Sequence, residues 1–379
     1  MKKGDYINGF RILEDFRVAG GMSKITFAER GGKEYFIKEF LYPKYPTPDS
    51  PGSERIKAQK RKACEDFENH HRKLNNLIGT KVALGGNLVY AVAFFREGPL
   101  YYKVNEKIDT SSLSLAEISS LPANKINVIA RSVCHSVSIL HGLDIVHGDL
   151  KPENILIKET SKDSFTGKLI DFDDSYFSKC PPEDKECIVG TPEYYSPELA
   201  AYIMDEDDEV SGETMTLASD IFTLGVILCE YYTGKKPMTG SEEPTWKAVV
   251  EGKEITFAKD IDPQVASLIK SMLAKDASAR PCIRKVQNTL REIKDGVKPA
   301  GRDDKPPVKV GLRGRGLSIP TPTSTGEIKK ELTIKEPTSE KPASKEPIEI
   351  GLTGKPKDTP TLPTPRKPGL RGKGLDINR

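Results

Sequence analysis

The distribution of aromatic residues divides this chain into two parts. Residues 296–379 contain no Phe, Tyr or Trp, yet they hold 13 of the 28 prolines. A segment rich in Pro, Lys, Thr and Glu buries too little apolar surface to offset the entropy that is lost on ordering. We therefore predict that residues 296–379 form a disordered tail and that the folded part of the 379-residue chain precedes it.

Charge follows the same division. The tail has 18 basic and 10 acidic residues, so the net charge of +3 for the whole chain becomes −5 for residues 1–295. A mildly acidic folded part argues against a nucleic-acid-binding protein. The longest apolar run, Ile221–Glu230 and its neighbours, is too short to span a bilayer, and Lys2-Lys3 is not followed by an apolar signal segment. The sequence thus predicts a cytoplasmic protein with no nucleic-acid or membrane partner.

The first hundred residues have the pattern of a sheet with one main helix. Between Tyr6 and Glu39, apolar and polar residues alternate, and glycine pairs separate the runs, as in antiparallel hairpins. Ser53 can cap a helix whose apolar positions continue to Ile78. Two further strands are predicted at Leu88–Phe95 and Leu100–Val104.

Helical periodicity dominates after Asn105. The long helices are predicted at Asn124–Gly142, Ala218–Thr233 and Pro263–Lys275, with short strands at Ile155–Ile157 and Lys168–Ile170. A β-rich lobe joined to a helical lobe through a short connection near Val104–Lys107 places a cleft between them, and a cleft is where a ligand binds. We expect Asn105 and Lys107, in this connection, to contact that ligand.

The segment His147–Asn154 (HGDLKPEN) lies between a predicted helix and a predicted strand. The segment resembles the catalytic loop of eukaryotic-type (Hanks-type) serine/threonine protein kinases, in which lysine follows the catalytic aspartate by two positions. The phosphoryl transfer that this resemblance implies requires a carboxylate that orients and deprotonates the acceptor hydroxyl, a cation near the γ-phosphate and an oxygen ligand for Mg²⁺. Asp149, Lys151 and Asn154 match these three groups.

A second motif, Asp171-Phe172-Asp173, follows Asp149 by twenty-two residues and resembles the Asp-Phe-Gly motif of the same family. The resemblance implies that Asp171 binds Mg²⁺ and that Phe172 packs under the helix of the small lobe. Asp173 stands where glycine is usual. Since a β-carbon restricts the backbone, we expect Asp173 to bias this loop toward one conformation.

The segment Val18–Ile25 resembles the glycine-rich loop that covers the phosphates, in the Gly-Gly-Met-Ser form seen in many bacterial kinases of the family. It departs from the usual pattern because Val18 and Ser23 replace the first and third glycines. By resemblance, the residues expected to bind the nucleotide here, largely through main-chain N–H groups, are Val18, Gly20, Gly21 and Met22.

Lys38, at the end of a predicted strand, matches the lysine that pairs with the α- and β-phosphates. The family holds this lysine with a helix glutamate, but its usual register places His70 at that position. Glu65 and Glu68 lie within about a turn of it. We favour Glu68 as the partner of Lys38, and the alternative is that both glutamates are ordinary solvated helix residues.

Residues 190–198 (GTPEYYSPE) resemble the end of a kinase activation segment. The resemblance implies that Thr191 contacts the catalytic loop and that Glu198 pairs with a buried arginine, for which Arg280 is the match. It also implies that Asp220 accepts hydrogen bonds from the catalytic-loop backbone.

The resemblance covers residues 6–293 and implies a two-lobed α+β protein-kinase fold, with a small lobe at about 6–104 and a helical lobe at about 108–293. It implies transfer of the ATP γ-phosphate to Ser/Thr hydroxyls of protein substrates, with Mg²⁺ as the metal. In many kinases an arginine before the catalytic aspartate binds a phosphate on the activation loop. Because Gly148 stands there, activity is predicted not to depend on that phosphate.

Two other functions remain open at this stage. One is a pseudokinase, a nucleotide-binding scaffold whose altered Val18 and Asp173 reflect lost catalysis and which docks partners through its tail. The other is phosphorylation of a small molecule. The tail repeats Gly-Leu-Arg-Gly-(Arg/Lys)-Gly-Leu at 311–317 and 369–375, and we expect these copies to be docking motifs for a protein partner.

Overall fold

The computed structural model describes residues 1–19, 23–82, 87–108, 112–182, 185, 188, 190–240 and 242–294. The predicted disordered tail, with both of its repeats, lies outside the described residues, and so do Gly20, Gly21 and Met22 of the glycine-rich segment. In the described ranges, no helix combines the length and the apolar character that crossing a bilayer requires.

The N-terminal lobe is built on an antiparallel sheet. Its strands are β1 (Tyr6–Ile7), β2 (Phe10–Ile12), β3 (Arg17–Ala19), β4 (Ser23–Arg30), β5 (Lys33–Phe40), β6 (Ala93–Glu97) and β7 (Leu100–Glu106). They lie in the order β1-β2-β4-β5-β7-β6, with β3 paired to β4. Alternation along these strands buries Ile12, Ile37 and Val104 in an apolar cluster on one face, as the period of two predicts.

The predicted strand Leu88–Phe95 is wrong in its first half. Strand β6 begins at Ala93, whereas the main-chain N–H of Val89 donates to the carbonyl of Leu169 over 2.9 Å. The N–H of Leu169 donates in turn to the carbonyl of Asn87, also over 2.9 Å. The backbone of 87–89 therefore bonds the second lobe and not the first sheet.

One long helix, α1 (Glu54–Val82), covers the other face of the sheet. Its Phe67 ring lies 5.3 Å from that of Phe40 on β5 and 5.2 Å from that of Tyr101 on β7. Because alternate residues of a strand share a face, Lys38 of β5 projects toward the side on which α1 lies. The aromatic contacts thus fix the helix beside the lysine that the sequence predicts to bind phosphates.

The second lobe is mainly helical. Its helices are α2 (Leu115–Ser120), α3 (Ala123–His141), α4 (Pro197–Met204), α5 (Ala218–Thr233), α6 (Thr245–Val250), α7 (Pro263–Met272) and α8 (Ile283–Lys294). Helix α5 is buried along nearly its whole length and forms the centre of the core with α3 and α7. The three long predicted helices are confirmed as α3, α5 and α7.

Two short antiparallel strand pairs place the loops of the cleft side by side. Strands β8 (Ile145–Val146) and β11 (Tyr176–Phe177) pair antiparallel, as do β9 (Ile155–Ser161) and β10 (Ser164–Leu169). The loop from β8 to β9 and the loop from β10 to β11 therefore lie next to each other. Together they face the sheet of the first lobe, which confirms the two-lobed α+β fold.

Candidate active site

Buried polar contacts hold the loop between β8 and β9 in place. The main-chain N–H of His147 donates to the Asp220 carboxylate over 2.8 Å, and His141 Nε2 lies 3.0 Å from the same oxygen. Asp220 is 2% exposed. A buried carboxylate is stable when hydrogen-bonded in this way, so the predicted role of Asp220 as the anchor of the catalytic loop is confirmed.

Three side chains of this loop meet a fourth, Thr191, from a later segment of the chain. Lys151 Nζ lies 2.6 Å from Asp149 Oδ2 and donates to Thr191 Oγ1 over 2.8 Å. The Thr191 hydroxyl donates in turn to Asp149 Oδ1 over 3.0 Å. Asn154 Nδ2 donates to the main-chain oxygen of Asp149 over 2.8 Å and to its Oδ2 over 3.1 Å. The Asp149 carboxylate is thereby fixed by a cation, a hydroxyl and an amide, and the predicted contact of Thr191 is confirmed.

The segment after β10 meets the first lobe at Lys38. Lys38 Nζ lies 3.2 and 3.1 Å from the two carboxylate oxygens of Asp171, and it also forms an ion pair with Asp173. Burial alone lowers the pKa of Lys38, but the carboxylates of Asp173 and Asp171 outweigh it and raise that pKa. Phe172 is 3% exposed and belongs to the same core cluster as Leu74 of α1, consistent with its predicted place under the helix.

A lysine that the sequence analysis did not single out completes this group. Lys103 Nζ of β7 lies 2.5 Å from Asp173 Oδ1. Although burial by itself raises the pKa of Asp173, Lys103 and Lys38 hold it well below its usual value. The available signal was a lysine within the otherwise apolar strand run LYYKV, together with a carboxylate where the family motif has glycine.

The expected pair between Lys38 and Glu68 is not formed, and this prediction is wrong. Glu68 accepts hydrogen bonds from Arg72 of the next helical turn, at 2.9 and 2.8 Å. The side chains that α1 turns inward are His70, whose Nε2 lies 2.8 Å from the carbonyl oxygen of Ser175, and His71, which is 5% exposed. Burial lowers the pKa of His71 to about 3, so this inward ring is neutral at physiological pH.

Three other residues predicted to bind the nucleotide, Val18, Asn105 and Lys107, lie on or directly after strands of the first lobe. Val18 of β3 is 72% exposed, and Asn105 of β7 is paired in register with Phe36 of β5. Lys107 Nζ contacts the Glu34 carboxylate at 2.5 Å. Asn105 therefore shares a sheet face with Lys103, whereas the side chain of Lys107 is engaged with Glu34 at the end of the strand.

Close main-chain packing locks the start of the activation segment against the catalytic loop. Gly148 has a φ of +82°, and a β-carbon added to it would lie 2.1 Å from the carbonyl oxygen of Asp174. The Ser175 hydroxyl donates to the carbonyl of His147 over 2.8 Å. Position 148 therefore accepts no side chain in this arrangement.

The other end of that segment is held by an ion pair. Arg280 donates to the two carboxylate oxygens of Glu198 at 2.6 and 2.8 Å, and its side chain is fully buried. Arg280 also donates to the carbonyls of Ala218 and Ala274, both at 2.8 Å. The predicted pair, whose members lie 82 positions apart in the sequence, is confirmed.

Comparison with known proteins agrees with this geometry. The family described as "Protein kinase domain" matches residues 55–290. The chain is 28% identical to serine/threonine-protein kinase 17A of Oryctolagus cuniculus over 177 residues, which are 45% of this chain and 42% of that protein. It is 29% identical to serine/threonine-protein kinase AfsK of Streptomyces coelicolor over 206 residues, 54% of this chain and 23% of that protein.

A third relative is calcium-dependent protein kinase 4 of Plasmodium berghei, at 30% identity over 221 residues, which are 56% of this chain and 40% of the relative. The chain thus spans less than half the length of each of these relatives. The family match, in contrast, covers more than half of this chain and includes every residue of the catalytic loop. The chain belongs to the protein kinase domain family and resembles its Hanks-type serine/threonine members.

Proposed function

We propose that this chain is an active serine/threonine protein kinase that transfers the γ-phosphate of ATP to hydroxyl groups of protein substrates. The observation that carries the proposal is the bonding around Asp149, whose carboxylate is contacted by Lys151, Thr191 and Asn154 within 3.1 Å. A carboxylate held from several sides keeps the orientation that a general base needs toward an incoming hydroxyl.

Asp149 and Lys151 have different roles in the proposed transfer. Asp149 accepts the proton of the substrate hydroxyl as the oxygen attacks the γ-phosphorus, while the bond from that phosphorus to the β,γ-bridging oxygen breaks and ADP leaves. Lys151, 2.6 Å from that carboxylate, is close enough to place its positive charge beside the phosphoryl group in transit. Thr191 bridges the two side chains, so the pair keeps its geometry while substrates exchange.

The residues of the cleft fit Mg²⁺. The side chain of Asp171 is 40% exposed, and the amide of Asn154 uses its nitrogen for the bonds to Asp149. A carboxylate and an amide oxygen are ligands that Mg²⁺ prefers. Among the described residues, no group of three or more His, Cys, Asp or Glu could hold a metal. A Mg²⁺ ion held by Asp171 and Asn154 would therefore need phosphate oxygens and water as its other ligands. When bound, Mg²⁺ would neutralise charge on the β- and γ-phosphates.

We assign ATP to the cleft between Lys38 and the two loops. Lys38 is the proposed cation for the α- and β-phosphates. Val18 is proposed to contact the nucleotide together with Gly20, Gly21 and Met22, which lie outside the described residues. Asn105 and Lys107, at the junction of the lobes, are the proposed contacts at the end of the cleft where the chain passes from one lobe to the other. The substrate is a polypeptide because Thr191 belongs to a segment that resembles the peptide-binding part of the family.

Transfer of labelled phosphate to a generic protein acceptor, with Mg²⁺ and ATP, tests the proposal. The wild-type protein should phosphorylate serine or threonine. Asp149→Asn should reduce transfer on the order of 10²- to 10⁴-fold while retaining Mg²⁺-ATP binding, because only the base is removed. Asp171→Asn should weaken Mg²⁺-dependent nucleotide binding as well. A wild-type protein that binds Mg²⁺-ATP and transfers nothing would be a pseudokinase, and equal loss of binding in both variants would contradict the assigned roles.

A further inference from the structure

Two lysines occupy one face of the N-terminal sheet at the back of the cleft. Lys38 of β5 and Lys103 of β7 are directly opposite in the antiparallel register, so both side chains leave the sheet on the same side. The two side chains are 17% and 11% exposed. Like charges in directly opposed positions destabilise a sheet, and partial burial increases the cost. The arrangement requires an anion close to both lysines.

Asp173 supplies that anion. Its Oδ1 lies 2.5 Å from Lys103 Nζ, its Oδ2 forms an ion pair with Lys38, and its side chain is 11% exposed. Lys38 has a second partner in Asp171, at 3.1 Å. Two ammonium groups and two carboxylates therefore form a charge-balanced cluster that links β5 and β7 to the loop after β10.

No carboxylate of α1 contacts this cluster in the described part of the chain. Glu68 is bonded to an arginine on the outer side of the helix, and His70 and His71 occupy the inward positions. The neighbouring Glu39 cannot supply the counter-charge for Lys38, because strand alternation turns its side chain to the opposite face of the sheet. There Glu39 accepts a hydrogen bond from the Tyr102 hydroxyl over 2.9 Å.

We propose that Asp173 is the positioning residue for Lys38 and that Lys103 holds the Asp173 carboxylate in place. The inference deepens the proposed function and rests on it, since Lys38 is taken there as the cation for the α- and β-phosphates. In this arrangement Asp173 keeps the ammonium group of Lys38 beside the loop that carries Asp171. The helix then serves as a packing support and not as the source of the counter-charge.

The contact between Asp173 and Lys103 explains two unusual residues, the aspartate where the motif has glycine and the lysine within an apolar strand. A carboxylate in place of the motif glycine would be a buried unpaired charge by itself, and so would a lysine in the apolar strand β7. Together they neutralise each other over 2.5 Å. Each oxygen of Asp173 contacts a different lysine and its side chain is 11% exposed, whereas Asp171 contacts one lysine and is 40% exposed. Asp173 is therefore better placed than Asp171 to orient Lys38, and Asp171 is better placed to bind a metal.

The decisive experiment is a double-mutant cycle on Asp173 and Lys103, with the free energy of urea unfolding as a readout that needs no nucleotide. In the wild-type background, Lys103→Met should lower the unfolding midpoint because Asp173 loses a partner. In the Asp173→Asn background, the same change should raise the midpoint because it removes an uncompensated charge beside Lys38. A decrease of similar size in both backgrounds would overturn the proposal.

Nucleotide measurements test the link to Lys38. Asp173→Asn should raise the Kd for Mg²⁺-ATP, measured by calorimetry, and the KM for ATP on the order of tenfold. Adding Lys103→Met should recover part of that affinity, which a general packing defect would not allow. Asp163→Asn is the matched control, because it removes a carboxylate from an exposed pair with Lys125 at 2.8 Å, and it should leave the Kd and the KM unchanged.

Glu68→Gln separates this proposal from the family arrangement. It should retain wild-type affinity for Mg²⁺-ATP, whereas a loss as large as that of Asp173→Asn would return the positioning role to the helix. Increased activity in Asp173→Asn would show that the carboxylate competes with phosphate for Lys38, and it too would overturn the proposal. If the wild-type protein binds Mg²⁺-ATP but transfers no phosphate, the proposed function fails, and the Kd values still decide the role of Asp173.

Discussion

Replacing Gly148 by alanine should destabilise the protein more than a turn glycine normally would. Its φ of +82° lies in the left-handed region, where a β-carbon costs about 1–2 kcal/mol. The added carbon would also lie 2.1 Å from the carbonyl oxygen of Asp174 and 2.9 Å from its carbonyl carbon. Both atoms belong to the main chain, so the segment must move, and overpacking of this kind costs about 1–3 kcal/mol more. We expect a total loss of about 2–5 kcal/mol.

A second glycine separates the cost of the left-handed backbone from the cost of the contact with Asp174. Gly252 has a φ of +72°, and apart from the glycine and its two chain neighbours no heavy atom of the described residues lies within 4 Å of the position that its β-carbon would take. Gly252→Ala should therefore lose only the backbone cost of about 1–2 kcal/mol. Urea unfolding of both variants measures the difference, with equal m values as the sign that the unfolded states are comparable. Equal losses in the two variants would refute the argument that Gly148 is required by its contact with Asp174.

Three further predictions concern regulation, the ion pair and the tail. Phosphatase treatment should leave activity intact because the Ser175 hydroxyl is already bonded to the catalytic loop; recovery of a lost activity on phosphorylation at Ser175 or Ser178 would contradict this. Arg280→Met should lower the free energy of urea unfolding by about 3–5 kcal/mol, since it leaves Glu198 buried without its cation, and a loss below about 1 kcal/mol would count against a structural role. Deleting residues 296–379 should leave transfer to a generic acceptor unchanged in the labelled-phosphate assay while abolishing capture of a protein partner through the repeats; loss of transfer would place the tail within the catalytic fold.

Much of the site was predictable because its chemistry is concentrated in short segments. The loop between β8 and β9 carries Asp149, Lys151 and Asn154 within six residues, so local spacing alone determines that these groups meet. The pair of Glu198 and Arg280 was predictable for a different reason. The resemblance names both partners, and a charge buried in a core has to be neutralised.

The error at Glu68 has a physical cause that the sequence already contains. Phe67, His71, Leu74 and Ile78 follow the spacing of one helical face, and the structure buries or half-buries all four. Glu68 is rotated by about 100° from Phe67, which places it beside that face. Proximity in sequence to the expected glutamate position was therefore a weaker guide than the apolar periodicity, which turns Glu68 toward Arg72.

The cluster at the back of the cleft could not be predicted from either of its unusual residues alone. Lys103 and Asp173 lie 70 positions apart, and each looks unfavourable in its own segment: a charge within an apolar strand, and a β-carbon where the motif has glycine. The structure brings them together because β7 pairs with β5 and the loop after β10 reaches across to Lys38. An unusual residue in a family motif is informative when a second unusual residue, of opposite charge, lies within contact distance of it. By that reasoning, the altered motif Asp171-Phe172-Asp173 is compatible with the proposed kinase function.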